Sequence, residues 1–488
     1  MSAAAGRPAR TRIKQFMNIV LWGVLAYVVV QFLLGAWVSR RISSDTDYIA
    51  AGRSLGTALI AFSVFATWFG AEALVTSAGE VYAHGLAGAK IDPFGYGGAV
   101  ILVGILLAAR VWLGGATTFA DIIRERFSTT AEKVFVFVLL PGSVFWAAAQ
   151  IRAFGQILSA TSSLDVVTAI VIAATLVALY SAVGGLLADA ITDVVQGLVV
   201  ICGLMTLTTM VAITAGGLTT SFATLDPVRL NWFSADDGWP ALAEKLAITV
   251  CGSLVSIELI SRFLGARSAG IARTGTIIGG VMYLTVGLMP LYIGLMAPRI
   301  VPNLVETEQV VPKVAETLMP TYGFAIFAGA LVSAILSVVH AALHAPAAQI
   351  SRNVLVPAMP QLSERARLAA VRLAVVVLSI VALGLALAMK NIRELVETAS
   401  AIGSAGAVVV VFFGLFTSLG GAQAASATLV AGGLLWAAFK FVAGVETPYL
   451  FAVGSSIVIY LIAARFEDHR PLPVPRVHRV RYPGHPRL

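Results

Sequence analysis

Charge is scarce in this chain: of 488 residues only 12% are Asp, Glu, Lys or Arg, whereas 58% are apolar and the mean hydropathy is +0.90. A water-soluble domain of this size needs a far more polar surface, so that class is excluded. Cysteine is nearly absent too. Cys202 and Cys251 both fall inside apolar runs, which excludes a disulfide framework or a cysteine metal cluster. Long hydrophilic blocks are also missing; the largest are 216–239 and the Pro/Arg-rich tail 466–488, whose composition predicts disorder. The net charge of +8 sits largely in loops and tail, where anionic lipid rather than nucleic acid is the neighbour.

What is present is a succession of about thirteen apolar runs, each long enough to cross a bilayer as a helix: 16–38, 56–80, 94–113, 133–158, 165–184, 189–214, 242–265, 273–298, 322–352, 367–389, 396–418, 421–443 and 448–465. The chain reads as an all-α polytopic membrane protein, one transmembrane domain over 16–465 after a basic tail at 1–15. The first run, 23 residues, exceeds a signal-peptide core and lacks a small-residue cleavage site, so it is read as a helix. Arg40, Arg41, Arg53, Arg124, Arg126, Arg267, Arg365 and the tail after Arg465 fall on one side, which the positive-inside rule makes cytoplasmic. The loops with Asp236, Asp237, Glu306 and Glu308 face the other way. An odd number of spans places the basic 1–15 tail outside, against its charge. The amphipathic stretch Thr118–Phe127 is expected to lie along the cytoplasmic interface.

The second run carries Phe65-Ala-Thr-Trp-Phe-Gly-Ala-Glu72, a glycine with a carboxylate two residues on. A charge at mid-bilayer costs roughly 2.5 to 3.5 kcal/mol, so this carboxylate faces a cavity, a partner or a ligand. The seventh run repeats the pattern in Val250-Cys-Gly-Ser-Leu-Val-Ser-Ile-Glu258. Interrupted helices at matching positions of two halves point to a transporter site, because unwound backbone is tolerated only where it lines a cavity. Breaks are therefore expected at Gly70 and Gly252, with inverted repeats over about 56–214 and 242–418.

Several segments resemble the sodium:solute symporter family. They are Asp47-Tyr-Ile-Ala-Ala-Gly-Arg-Ser-Leu55, the stretch Ser63 to Gly85 with Ala78-Gly79 and Tyr82-Ala-His-Gly85, Gly184-Gly-Leu-Leu-Ala-Asp-Ala-Ile-Thr-Asp193-Val-Val-Gln-Gly197, Ser261-Arg-Phe-Leu-Gly-Ala-Arg-Ser268, and Ser333-Ala-Ile-Leu-Ser337. The resemblance covers nearly the whole chain in order. It implies a LeuT-type fold of five plus five inverted helices with extra flanking helices, and a plasma-membrane location, the inner membrane in a bacterium. It also implies a sodium ion between the second and ninth spans, held by the carbonyls of Ala66, Phe69 and Ala334 and by two hydroxyls. These map to Ser337 and Val338, and valine supplies no oxygen. The run His340-Ala-Ala-Leu-His344 departs from the family pattern as well. Sodium or a proton is thus the expected coupling ion, with no other cofactor. Two histidines at i, i+4 share a helix face and titrate near neutral pH; packing or a metal pair are the rival roles.

Glu72 and Glu258 are candidates for binding a cationic group or a cation; alternatively they pair within the bundle with Arg152 or Arg262. Arg262 is expected to snorkel at the cytoplasmic end of its span. Arg152, with Gln150 and Gln156 in an apolar run, suits a carboxylate, either the solute's or that of Glu72. Ser256 joins this substrate set. Asp193 lies, by resemblance, on the cation path; its other reading is a helix cap. Aromatic residues inside the spans are read as lipid-facing or core.

No nucleophile–base pair or metal motif marks an enzyme. The sequence points to a secondary transporter importing a small polar organic solute, a carboxylate or amino acid fitting Arg152. The alternative is a transporter-like sensor working through a separate signalling partner, motivated by the incomplete Ser337–Val338 pair.

Overall fold

A computed structural model describes residues 22–23, 25–27, 29–34, 37, 49–162, 164–183, 186–232, 238–389 and 391–467. The 1–15 tail, Arg40, Arg41, Asp47, Tyr48, Gly184, Gly185, Asp236, Asp237 and most of the 466–488 tail lie outside these residues.

The described chain is helical. In order, the elements used below are α1 (Thr57–Trp68), α2 (Glu72–Ala89), α3 (Phe94–Leu113), α4 (Phe119–Arg126), α5 (Thr129–Ala160), α6 (Val166–Val183) and α7 (Leu186–Thr214). The second half continues with α8 (Trp239–Leu254), α9 (Ile257–Leu264), α10 (Ala269–Ile300), α11 (Val310–Leu318), α12 (Thr321–Ala358), α13 (Glu364–Ala388), α14 (Ile392–Ala401) and α15 (Ser404–Phe416). Two more, α16 (Ala422–Val442) and α17 (Pro448–Ala464), pack on each other outside this set.

Among the described residues nine helices are long and apolar enough to cross a bilayer, ten when the bent pair α1–α2 counts as one span. Thirteen is reached only by admitting three shorter apolar helices, 25–34, Val166–Ser181 and Pro448–Ala464. Each of these is shorter than the roughly 20 residues of a perpendicular crossing.

Local chemistry sets the helix starts. Ser128, Ser256, Ser268 and Ser363 each accept a backbone N–H at the N-terminus of the following helix, satisfying a donor that the helix itself leaves orphaned. The two halves share a plan: a broken span, a long span, a short helix (α4 or α11), then further long spans. α12 is the innermost element, with 94% of its most apolar window buried, and it packs against α5, α7 and α1.

Helix α4 forms where expected, and part of its polar side packs against protein. Its Asp121 and Arg126 are buried, with Asp121 Oδ1 accepting from Asn353 of α12 and Arg126 donating to the carbonyls of Thr417, Leu419 and Gly420 past α15.

Candidate functional site

The first break falls where the glycine predicted it. α1 ends at Trp68, and α2 leaves at 59° to it. Gly70 N–H turns back to Trp68 O and Ala71 N–H donates to Gln150 Oε1 at 2.9 Å, so the carbonyls of Ala66 and Thr67 lose the donors a continuous helix supplies. The second break is displaced from its expected position. α8 winds straight through Gly252 to Leu254, and the interruption comes at Val255–Ser256, where Ser256 is extended and caps α9. The glycine there serves close packing: a Cβ on Gly252 would meet Ser400 O at 2.7 Å.

Between the two breaks lies a cavity of about 70 Å³. Its walls come from α1–α2 (Trp68, Glu72), α3 (Tyr96), α5 (Ser143, Trp146), the α8–α9 junction (Ser253, Ser256, Glu258), α10 (Tyr283) and α14 (Ser400). The expected site residues Glu72, Ser256 and Glu258 are brought together here. Both oxygens of Glu72 are used, Oε1 accepting from Trp146 Nε1 at 2.6 Å and Oε2 from Gln150 Nε2 at 2.8 Å. Glu258 differs. Its Oε2 accepts from Ser256 Oγ at 2.7 Å, Ser143 lies beside the carboxylate, and Oε1 is buried without a hydrogen bond of standard geometry.

Arg152 and Gln156 are not part of this cavity. Arg152 Nη1 donates to Ala386 O of α13 at 2.9 Å, and Gln156 faces Gln309 at 3.5 Å. Neither Glu72 nor the cavity is the partner of Arg152. The residues that sequence reading missed are aromatic: Trp68, Tyr96, Trp146 and Tyr283 belong to or pack on the apolar core as expected, and they also line the cavity, with the Trp68 and Trp146 rings 5.2 Å apart. No pattern in the sequence set these four apart from other aromatic residues in the apolar runs.

A second cavity, of about 60 Å³, adjoins the first across Glu72 and Tyr96 and holds Glu80, Asp92, Arg393 and Glu397. Arg393 bridges Glu80 at 2.7 Å and Glu397 at 2.9 Å, tying α2 to α14 on the side away from the basic loops. Asp92 accepts from Ser77 Oγ at 3.0 Å and Tyr283 Oη at 2.7 Å.

Of the expected cation residues, Asp193 and Ser337 meet, where α1, α7 and α12 pack together. Asp193 sits seven residues into α7, too deep for a helix cap; it accepts from Ser63 Oγ at 2.7 Å and from Ser337 Oγ through a short hydrogen bond. Ala66 and Ala334 are buried on the facing helices, whereas Val338 turns its methyls toward Gly70 and offers no oxygen. Phe69 stacks on Phe65, with centroids 4.8 Å apart. Arg262 does not snorkel. It is 1% exposed, 2.5 Å from Asp189 Oδ2 and 3.9 Å from Asp193 Oδ2. His340 Nε2 lies 3.9 Å from the same Asp189 oxygen, and its ring stacks on His344 at 5.3 Å. His344 itself borders a small cavity with Thr117 and Gln349.

Comparison with known proteins fits this geometry. Residues 48–432 match the sodium:solute symporter family profile. A Drosophila melanogaster high-affinity choline transporter is 26% identical over 398 residues, covering 78% of this chain and 63% of that protein. The Escherichia coli sodium/pantothenate symporter is 25% identical over 440 residues, covering 86% of this chain and 90% of that one. The chain thus spans less than two thirds of the insect relative's length. Among solved structures, the substrate-bound outward-open state of a Na+-coupled sialic acid symporter matches with a TM-score of 0.79 at 17% identity, over 92% of this chain and 98% of that one. A nucleobase-cation-symport-1 family transporter in a closed conformation follows with a TM-score of 0.62 at 14% identity, over 87% and 95%. With two broken helices around one polar chamber and a family match over most of its length, this chain belongs to the sodium:solute symporter family, has its LeuT-type fold, and is a multi-pass membrane protein of a transporter family rather than an enzyme.

Proposed function

We propose that this chain moves a small polar organic solute across the plasma membrane by cation-coupled alternating access, inward, with the cavity between the two helix breaks as the solute site. The observation that carries this reading is that chamber itself, closed over two buried carboxylates and walled by both interrupted helices. Broken helices meeting at mid-depth let one repeat rock against the other around a fixed site. The Glu80–Arg393–Glu397 cluster is the outer closure in this scheme, and the α1–α7–α12 oxygens around Asp193 are where the coupling cation acts.

Sodium is the coupling ion of the family, and here its site is unusual. Ala66, Phe69, Ala334 and Ser337 are its proposed ligands, but the Ser337 hydroxyl is committed to Asp193 and Val338 contributes only methyls. A hard cation wants several oxygen ligands, so sodium binds weakly at such a site unless Asp193 joins it. A proton carried by His340 beside Asp189 is the competing coupling scheme. Either ion drives transport only to the extent that it binds the two conformations differently.

Solute counterflow and uptake in proteoliposomes test this, with labelled choline and pantothenate, the solutes named for relatives, as first probes. Uptake accelerated by an inward sodium or proton gradient is expected. Saturable binding with no movement under either gradient overturns the transport reading and leaves the sensor.

A further inference from the structure

The cavity and its surroundings bear unequal charge. Glu72 and Glu258 both line it, 7% and 4% exposed, while among the described residues no lysine, arginine or histidine does. Arg152 is turned away to Ala386 O, and Arg262 is held by Asp189. A solute carboxylate entering this chamber would meet two carboxylates in its lining, while the nearby guanidiniums of Arg262 and Arg393 lie outside that lining and are paired with Asp189 and with Glu80 and Glu397. Buried like charges without a cation between them are strongly disfavoured, so the geometry runs against an anionic ligand.

The two glutamates, alike in sequence context, are not alike in space. Glu72 is saturated by Trp146 and Gln150, and Gln150 in turn receives the Ala71 N–H. This triad fastens the first helix break to α5, so Glu72 is a positioning residue. Glu258 leaves Oε1 without a standard hydrogen bond inside the chamber, at the second break. Trp68, Trp146, Tyr96 and Tyr283 line the same chamber, and the face of an aromatic ring carries the negative side of its quadrupole. A buried carboxylate that has Ser143 and Ser256 beside it and leaves Oε1 without a hydrogen bond of standard geometry, in a chamber walled by aromatic residues, suits an alkylated ammonium.

We propose that the chamber is selective for a small organic cation, its ammonium group resting against Glu258 Oε1 among the aromatic walls. This rests on the reading of the cavity as the solute site and deepens it by naming the chemical class. The expectation of a carboxylate or amino-acid solute, which leaned on Arg152, is replaced.

The test is equilibrium binding to the full-length protein in detergent, with no gradient, by calorimetry or quenching of tryptophan fluorescence. The probes are choline, its uncharged carbon isostere 3,3-dimethylbutan-1-ol, and pantothenate. Choline is expected to bind at least about tenfold more tightly than the isostere, the factor that a desolvated cation–aromatic contact supplies, and pantothenate more weakly than either. Glu258→Gln should lower choline affinity about tenfold or more and leave the isostere's unchanged, which also shows that the variant is folded. Glu72→Gln should weaken both probes together.

Equal binding of choline and isostere, tighter binding of pantothenate, failure of choline to bind saturably, or retention of choline selectivity in Glu258→Gln would each overturn the inference. The transport reading stands or falls apart from this. Uptake of pantothenate would keep transport and sink the cation assignment, whereas choline binding without uptake would do the reverse.

Discussion

Val338 and Gly70 meet across the interface of α12 and the first helix break: a Cβ built on Gly70 falls 3.0 Å from Val338 Cγ2 and 2.7 Å from Gln150 Oε1. The residue that removes an oxygen from the expected cation site is thus the one that packs the unwound backbone. Gly70→Ala should lower the unfolding temperature in detergent, an overpacking cost of about 1 to 3 kcal/mol. Val338→Ala in the same chain should recover part of that loss, as contacting residues couple. Strictly additive losses would show that the two side chains do not share the space.

Val338→Thr puts a hydroxyl on the side chain that packs against Gly70 at the first break. Sodium dependence of uptake should rise, read as a lower half-saturating sodium concentration. An unchanged sodium response would mean that this oxygen cluster is not used by the coupling ion, and would direct attention to His340 and Asp189.

The ion pair of Arg262 with Asp189 is buried at both ends, 2% and 1% exposed, and Asp193 stands 3.9 Å away. Removing the guanidinium leaves two carboxylates buried together. Arg262→Gln should therefore destabilise severely, on the order of 3 to 5 kcal/mol, while Arg262→Gln with Asp189→Asn should regain much of it. Thermal unfolding of the single and double variants measures this; equal stability of the two would remove the pair from the structural account.

Arg152→Gln should change solute affinity by less than about threefold, within the small effect expected of a residue outside the contact set. Its consequence should appear instead in thermal stability, through the lost hydrogen bond to Ala386 O. A large affinity loss with unchanged stability would return Arg152 to the binding site.

The helical period accounts for the misplacing of Arg152. The cavity stripe of α5 is Leu139, Gly142, Ser143 and Trp146, continued by Gln150 beneath Glu72, a run at three- and four-residue steps. Arg152 lies two residues past Gln150, about 200° around the helix, so its polarity marked an intramembrane cost without telling which neighbour meets it. That Glu72, Ser256 and Glu258 line one cavity was legible because a carboxylate beside a helix break inside a bilayer is tolerated chiefly where a polar chamber receives it. The aromatic walls were not, since a tryptophan in an apolar run reads the same whether it faces lipid, core or chamber, and only the tertiary contact of Trp68 with Trp146 beside the first break distinguishes these. The break between α14 and α15, at Ile402–Gly403, went unread for a similar reason. Gly403 has φ of 79° and a Cβ there would lie 2.2 Å from Val138 O, a constraint set by a helix far earlier in the chain.

Alternating exposure of the chamber is most directly measured at Ser400, which lines it from α14. With Cys202 and Cys251 replaced, Ser400→Cys in sealed vesicles should react with a membrane-impermeant thiol reagent from the outer face in one ionic condition and from the inner face in another, with bound solute protecting in both. Modification from a single face under every ionic condition, or from neither face, would contradict the account.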